Sequence, residues 1–197
     1  MSSFRVSDIM FSSPGGETGR RAAFRTLCSK GLGSSNLPPG TMNINAIYNK
    51  YPIPKILQMH MLRTAAVGVF ICDHWNSEQQ ISKKLIAETL LIHDTGNIIK
   101  TDLNYPQMLT AKEKKQIQLW KDKQKMLKEK YNNDEHAANF QIAKELGASA
   151  SILYVLTHSG SSKLRDVINS EDFNLGIVTY ADLRCAPHSV VSIDERF

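Results

Sequence analysis

The chain reads as all-α, one helical bundle domain spanning residues 41–197 behind a leader of about forty residues. Three observations predict it. Apolar residues recur at i, i+3 and i+4 from Ile56 onward, the period of a helix with one buried face. Helix-start and helix-stop residues punctuate the chain at helical lengths. No alternating apolar–polar run of strand length occurs, and no repeat.

Residues 1–40 are rich in Ser, Gly and Pro and are expected to be disordered. They contain no apolar core of secretory length, and Asp8, Glu17 and scattered glycines make a poor organellar transit signal. Pro52 and Pro54 then precede a helix expected over about 54–74, with Leu57, His60, Met61, Thr64, Ala65 and Gly68 on its apolar face. Ser77, followed by Glu78 and Gln80, is expected to cap a second helix carrying Ile81, Leu85, Thr89 and Ile92. That helix should stop at HDTG, with Gly96 in the left-handed C-cap conformation. Thr110 with Glu113 forms a capping box for a third helix over about 110–130. Asp134 opens a fourth that Gly147 closes, and Ser149 or Ser151 opens SILYVLTHSG. Ser170 is expected to cap the last helix, which Pro187 ends.

Composition narrows the function classes. The longest unbroken apolar stretch, residues 65–72, is far short of a bilayer span, so no membrane partner is expected. Cys28, Cys72 and Cys185 are odd in number and widely spaced, which disfavours a disulfide framework or a cysteine zinc site and fits a reducing cytoplasm. The net charge of +5 is unevenly placed: residues 111–130 hold eight lysines against three acids. Ile117, Trp120 and Leu127 give that segment an apolar stripe, so its lysines read as the solvated face of an amphipathic helix. A nucleic-acid surface would gather them on one face beside stacking aromatics, and only Trp120 and Tyr131 are on offer.

Four polar residues stand where apolar ones are expected. His60 lies on the apolar face of the first long helix, and Asp182 sits among core-type residues in TYADLRC. His93 and Asp94 follow TLLI at a helix C-terminus, where the dipole disfavours a carboxylate unless a positive charge offsets it. Two imidazoles and two carboxylates on three helices can cage one divalent cation. The spacing alone leaves a second reading open, with His60 as a hydrogen-bonded core histidine and His93–Asp94 as a capping pair.

The order His60, His93-Asp94, Asp182 resembles the H…HD…D signature of the HD-domain metal-dependent phosphohydrolases. LQMHMLRTAAVGVFICDHW is similar to the first helix of such domains, LLIHDTGNIIKTDL to their HD turn, and IVTYADLRCAPHSVVSIDERF to the helix bearing the last aspartate. The likeness covers about residues 43–197 and lies nearest uncharacterised prokaryotic members with a YADxRxxP ending. It implies an HD-type helical bundle with metal ligation by His60, His93, Asp94 and Asp182. It implies a second metal where His136 and His158 join, with Asp94 bridging.

The implied activity is hydrolysis of a phosphate ester, a nucleotide or related small molecule, by hydroxide on the metal. Mixed imidazole and carboxylate donors suit Mn, Fe, Co, Ni or Zn. Asp94 would orient the attacking water. Arg63, one turn from His60, is the candidate to contact substrate phosphate or a ligand carboxylate, and Lys100 is a weaker candidate. Cyclic-dinucleotide phosphodiesterases carry a lysine where this chain has Asn97, and the Glu-Asp pair of alarmone hydrolases is missing, so neither activity is implied. The rival is a non-catalytic HD-type module binding a nucleotide or RNA. Self-association is left open by the sequence.

Overall fold

The computed structural model describes residues 43–105 and 107–196. The expected disordered leader, with Cys28, therefore lies outside the described residues. The observed elements are α1 (Ile44–Lys50), α2 (Lys55–Asp73), α3 (Lys83–Leu90), α4 (Ala111–Lys114), α5 (Ile117–Lys130), α6 (Glu135–Glu145), α7 (Ala150–His158), α8 (Leu164–Asn169) and α9 (Phe173–Leu183). Two 3₁₀ turns, Asn97–Lys100 and Ser161–Lys163, follow α3 and α7. Among the described residues the only β pairing is one isolated bridge, Cys185 with Val190. The fold is all-α.

Helices α2, α3 and α9 pack mutually at the centre, α7 lies on α3 and α9, and α6 on α7. Gly68 permits the α2–α3 approach, because a Cβ there would sit 2.5 Å from Leu90 Cδ1. The core runs through Leu57, Met61, Ile86, Leu90, Ile142 and Val178, all almost fully buried. By length and mean hydropathy α2 could cross a bilayer, but it is the central core helix and buries His60, Met61, Thr64 and Ala65 against its neighbours.

The capping residues show where local signals compete. Thr110 and Glu113 form the expected capping box, Asp134 caps α6, and Ser149, not Ser151, caps α7. The second helix starts later than expected: Ser82 caps α3 by accepting from Leu85 N, while Ser77 accepts only from Gln79 N in a preceding turn. Asp172, not Ser170, caps α9, since Glu171 at φ 54° turns the chain and leaves Ser170 to close α8. The expected 110–130 helix is broken around Lys115–Gln116 into α4 and α5. Helix α1, capped by Asn43, has no counterpart in the expectations. It packs Ile44 and Ile47 inward, and its Tyr48 hydroxyl donates to the Leu91 carbonyl across 2.9 Å.

Gly96 is a correction of another kind. Its φ of −94° is right-handed, so the left-handed C-cap is not formed. The glycine is needed for space: a Cβ would meet Ala138 Cβ at 2.6 Å and the Asn139 backbone N at 3.1 Å. Contact with α6 therefore selects this glycine. A glycine at positive φ does close α6: Gly147, at φ 73°.

Candidate metal centre

Three elements bring the polar residues together. α2 supplies His60, the turn after α3 supplies His93 and Asp94, and α9 supplies Asp182. His60 Nε2 lies 3.1 Å and His93 Nε2 3.3 Å from Asp182 Oδ1, and both nitrogens lie 3.6 Å from Asp94 Oδ2. The two imidazoles are tilted at 51° with centroids 5.4 Å apart. His60 is buried, and the side chains of His93, Asp94 and Asp182 keep 10%, 20% and 27% exposure toward one opening.

Those separations fit a divalent ion. Donors about 2.1 Å from one ion, at angles of about 90–110°, lie roughly 3.0–3.4 Å from each other. One ligand atom each from His60, His93 and Asp182 lies within 4.8 Å of the others, a group able to hold a metal ion. His93 is oriented for it: Nδ1–H donates to the Leu90 carbonyl over 2.8 Å, which leaves the Nε2 lone pair for a cation. With Nδ1–H already committed, a hydrogen bond from Nε2 to Asp182 requires the imidazolium. Burial opposes that charge, but Asp94, the hydrogen bond to Asp182 and the Asp182 charge overcome it and raise the His93 pKa to about 9. For Asp182, burial likewise favours the neutral acid, yet the bonds and charges of His60 and His93 hold its carboxyl well below the ordinary range. A proton on His93 and a cation would thus compete for the same Nε2.

The turn is held from outside by residues that sequence reasoning missed. Asn139, buried on α6, accepts from Gly96 N at 2.6 Å and donates to Asn97 Oδ1 at 3.2 Å. Gln124 of α5 donates Nε2 to the carbonyls of Ile98 and Thr101, both at 2.7 Å. A buried asparagine beside Ala138 and Ile142 was the available sequence signal for the first. Gln124, amid eight lysines, carried none.

The other predicted residues separate. Arg63 donates Nη1 to the carbonyls of Ala186 (3.3 Å) and Pro187 (3.1 Å), fastening the segment after α9 to α2. It does not line the cavity beside the cluster, which encloses about 430 Å³. Lys100 does line it, with its ammonium 3.8 Å from Glu135 Oε1. His136 reaches the same cavity but is largely exposed, 3.7 Å from Glu135. His158 stacks on Tyr154 with centroids 4.2 Å apart and hydrogen-bonds its carbonyl, away from the cavity lining. No second group of three ligand atoms forms among the described residues. Of the remaining histidines, His74 bonds the Phe70 carbonyl and His188 is exposed. Cys72 is partly buried against the core and Cys185 buried, both free thiols.

Compared with protein-family models, with curated proteins and with solved structures, the chain matches none.

Proposed function

We propose that this protein is a metal-dependent phosphohydrolase acting on a small phosphate ester, a nucleotide or related molecule. One observation carries the reading: two imidazole nitrogens and the Asp182 carboxylate converge at metal-ligand spacing, with the Asp94 carboxylate 3.6 Å from both nitrogens, beside a 430 Å³ cavity that His93, Asp94 and Asp182 line. That volume is in the range of small-molecule sites. Against neutral imidazoles the two carboxylates leave two negative charges, which a divalent cation balances.

His60, His93 and Asp182 would hold the ion, which lowers the pKa of coordinated water and polarises a phosphoryl oxygen. Asp94 presents Oδ2 beside both imidazoles and is the group to orient the attacking water and take its proton. The water oxygen would bond to phosphorus as the ester P–O bond breaks, and the proton taken up by Asp94 would pass to the leaving alkoxide. Arg63 is assigned a positioning role, holding the segment after α9 against α2 so that Asp182 meets His60.

The test is elemental analysis of the purified chain and of Asp182→Ala, with a phosphate-ester panel supplemented with Mn, Ni or Zn. About one equivalent of metal in the wild type, lost in the variant together with turnover, is the expected result. Full hydrolysis by the variant, or no metal uptake by the wild type, would overturn the reading. Metal without turnover would favour the binding-module alternative.

A further inference from the structure

Beyond the metal-ligand cluster, the same cavity has a second polar wall that no ligand role yet explains. It is the segment joining α7 to α8, from which Ser159, Ser161, Ser162 and Lys163 all line the cavity. Five other serines among the described residues, Ser77, Ser82, Ser149, Ser170 and Ser192, each accept a main-chain N–H, while Ser151 and Ser189 lie off the cavity. The hydroxyls of Ser159, Ser161 and Ser162 make no hydrogen bond within the described protein; Ser159 is half-buried, Ser161 and Ser162 are exposed, and all three line the cavity, where water or a ligand can meet them.

Charge distinguishes Lys163 from Lys100, the other lysine on the cavity. Lys100 is offset by Glu135, whereas among the described residues Lys163 has no carboxylate within ion-pair distance and its ammonium bonds the Thr157 carbonyl. The backbone is specialised too. Gly160 holds φ 109° and ψ 161°, a region open essentially to glycine alone, although a Cβ there would meet nothing within 4 Å. Packing does not demand that glycine; the path of the loop does. Gly160 N donates over 3.5 Å to Thr179 Oγ1. Thr179 precedes Asp182 by three residues on the same face of α9, so the residue that holds the loop stands about one helical turn, ~5 Å along the axis, from Asp182. Between them Leu156 and Val178 give the cavity apolar surface.

We propose that Ser161, Ser162 and Lys163 form a second anion subsite. The substrate class is then a phosphate monoester that carries another anionic group, a carboxylate or second phosphate, across a short apolar spacer. This rests on the phosphohydrolase reading for the first phosphate but not for the subsite itself.

The matched probes are phenyl phosphate and 4-carboxyphenyl phosphate, which differ by one carboxylate. With the full chain supplied with Mn²⁺, kcat/KM is measured for both, and calorimetry gives both affinities for the metal-free protein. The wild type is expected to prefer the carboxylated ester by roughly tenfold in each readout, the size of one charge-assisted hydrogen bond. In Lys163→Gln and in the double variant Ser161→Ala/Ser162→Ala the ratio should fall several-fold toward one. Because the ratio is compared between variants, the differing leaving groups cancel. These side chains are exposed, so the variants are expected to fold, and Lys121→Gln on α5 is the charge control that should keep the preference.

Hydrolysis of both esters with no preference would overturn the subsite and leave the phosphohydrolase reading standing. Preferential binding without hydrolysis of either would do the reverse. A preference abolished by Lys100→Gln but kept in Lys163→Gln would place the second anion elsewhere and overturn the assignment.

Discussion

Two polar clusters tie distant parts of this chain together, and they differ in whether their charges close. In the first, Glu145 accepts from Tyr51 and Lys130, both at 2.8 Å, and from Tyr131 at 3.4 Å. One carboxylate meets one ammonium and two phenols, so donors and acceptors balance within the protein. In the second, Asp94 and Asp182 face His60 and His93, and the account closes only with an added proton or cation. A balanced polar cluster fastens helices. An unbalanced one, opening into a cavity, is where a ligand is to be sought.

The comparison breaks most sharply at Asp182. Asp182→Ala should weaken metal binding by more than about 100-fold, since losing a direct ligand costs more than losing one of its hydrogen-bonding partners. Equilibrium dialysis against Zn²⁺ or Mn²⁺ measures it, and unchanged uptake would return the four residues to a structural role. The proton stored on His93 gives a second measurement. With its pKa raised to about 9, the stabilising proton of the metal-free protein is fully held below about 6.5 and lost as pH rises through 9. Metal loading at neutral pH should therefore release about one proton, read by calorimetry in buffers of different ionisation enthalpy. Metal affinity should climb with pH up to that value.

Gly96→Ala tests the support behind the turn rather than the ligands. Forcing a methyl against Ala138 and Asn139 should cost about 1–3 kcal/mol, a fall of several degrees in melting temperature. The balanced cluster should respond more quietly. Tyr51→Phe should cost about 1 kcal/mol. Glu145 is held below its ordinary range chiefly by the Lys130 hydrogen bond, against burial, with Tyr51 assisting. Its contribution is thus present above the ordinary glutamate value of about 4.3 and fades as pH falls through the lower folded value. Thermal melts should show Glu145→Gln less stable than wild type at neutral pH and level with it in acid. Smallest of all, Lys121→Gln with Lys128→Gln should stay within about 0.5 kcal/mol, as expected of a solvated face.

The sequence made the all-α class and the four clustered residues readable for one reason. His60 and Asp182 interrupt apolar faces, and His93–Asp94 sits where a helix end disfavours a carboxylate, so each is locally anomalous. What was not readable depends on which segments approach. Gly96 looked like a C-cap because HDTG ends an apolar run, and only the arrival of α6 shows that its lack of a side chain is the point. Ser77 and Ser170 were as good caps on paper as Ser82 and Asp172, and the difference lies in a left-handed Glu171 and a turn at Gln79. Arg63 stood one turn from His60 and so suggested a phosphate contact. Its guanidinium instead reaches carbonyls 123 and 124 residues along the chain. The serine loop, polar and short, carried no anomaly until the cavity beside it was defined.

One separation has a consequence for how the molecule is made. The His60–Asp182 contact spans 122 positions, from the first long helix to the last. A ribosome must therefore deliver nearly the whole domain before the third donor of the cluster exists, and a chain halted before α9 has two imidazoles with no carboxylate from that helix. Closing so long a loop is slow and entropically costly. A cation captured there would bind the finished topology and few of its precursors, so metal retention would report complete synthesis as well as folding.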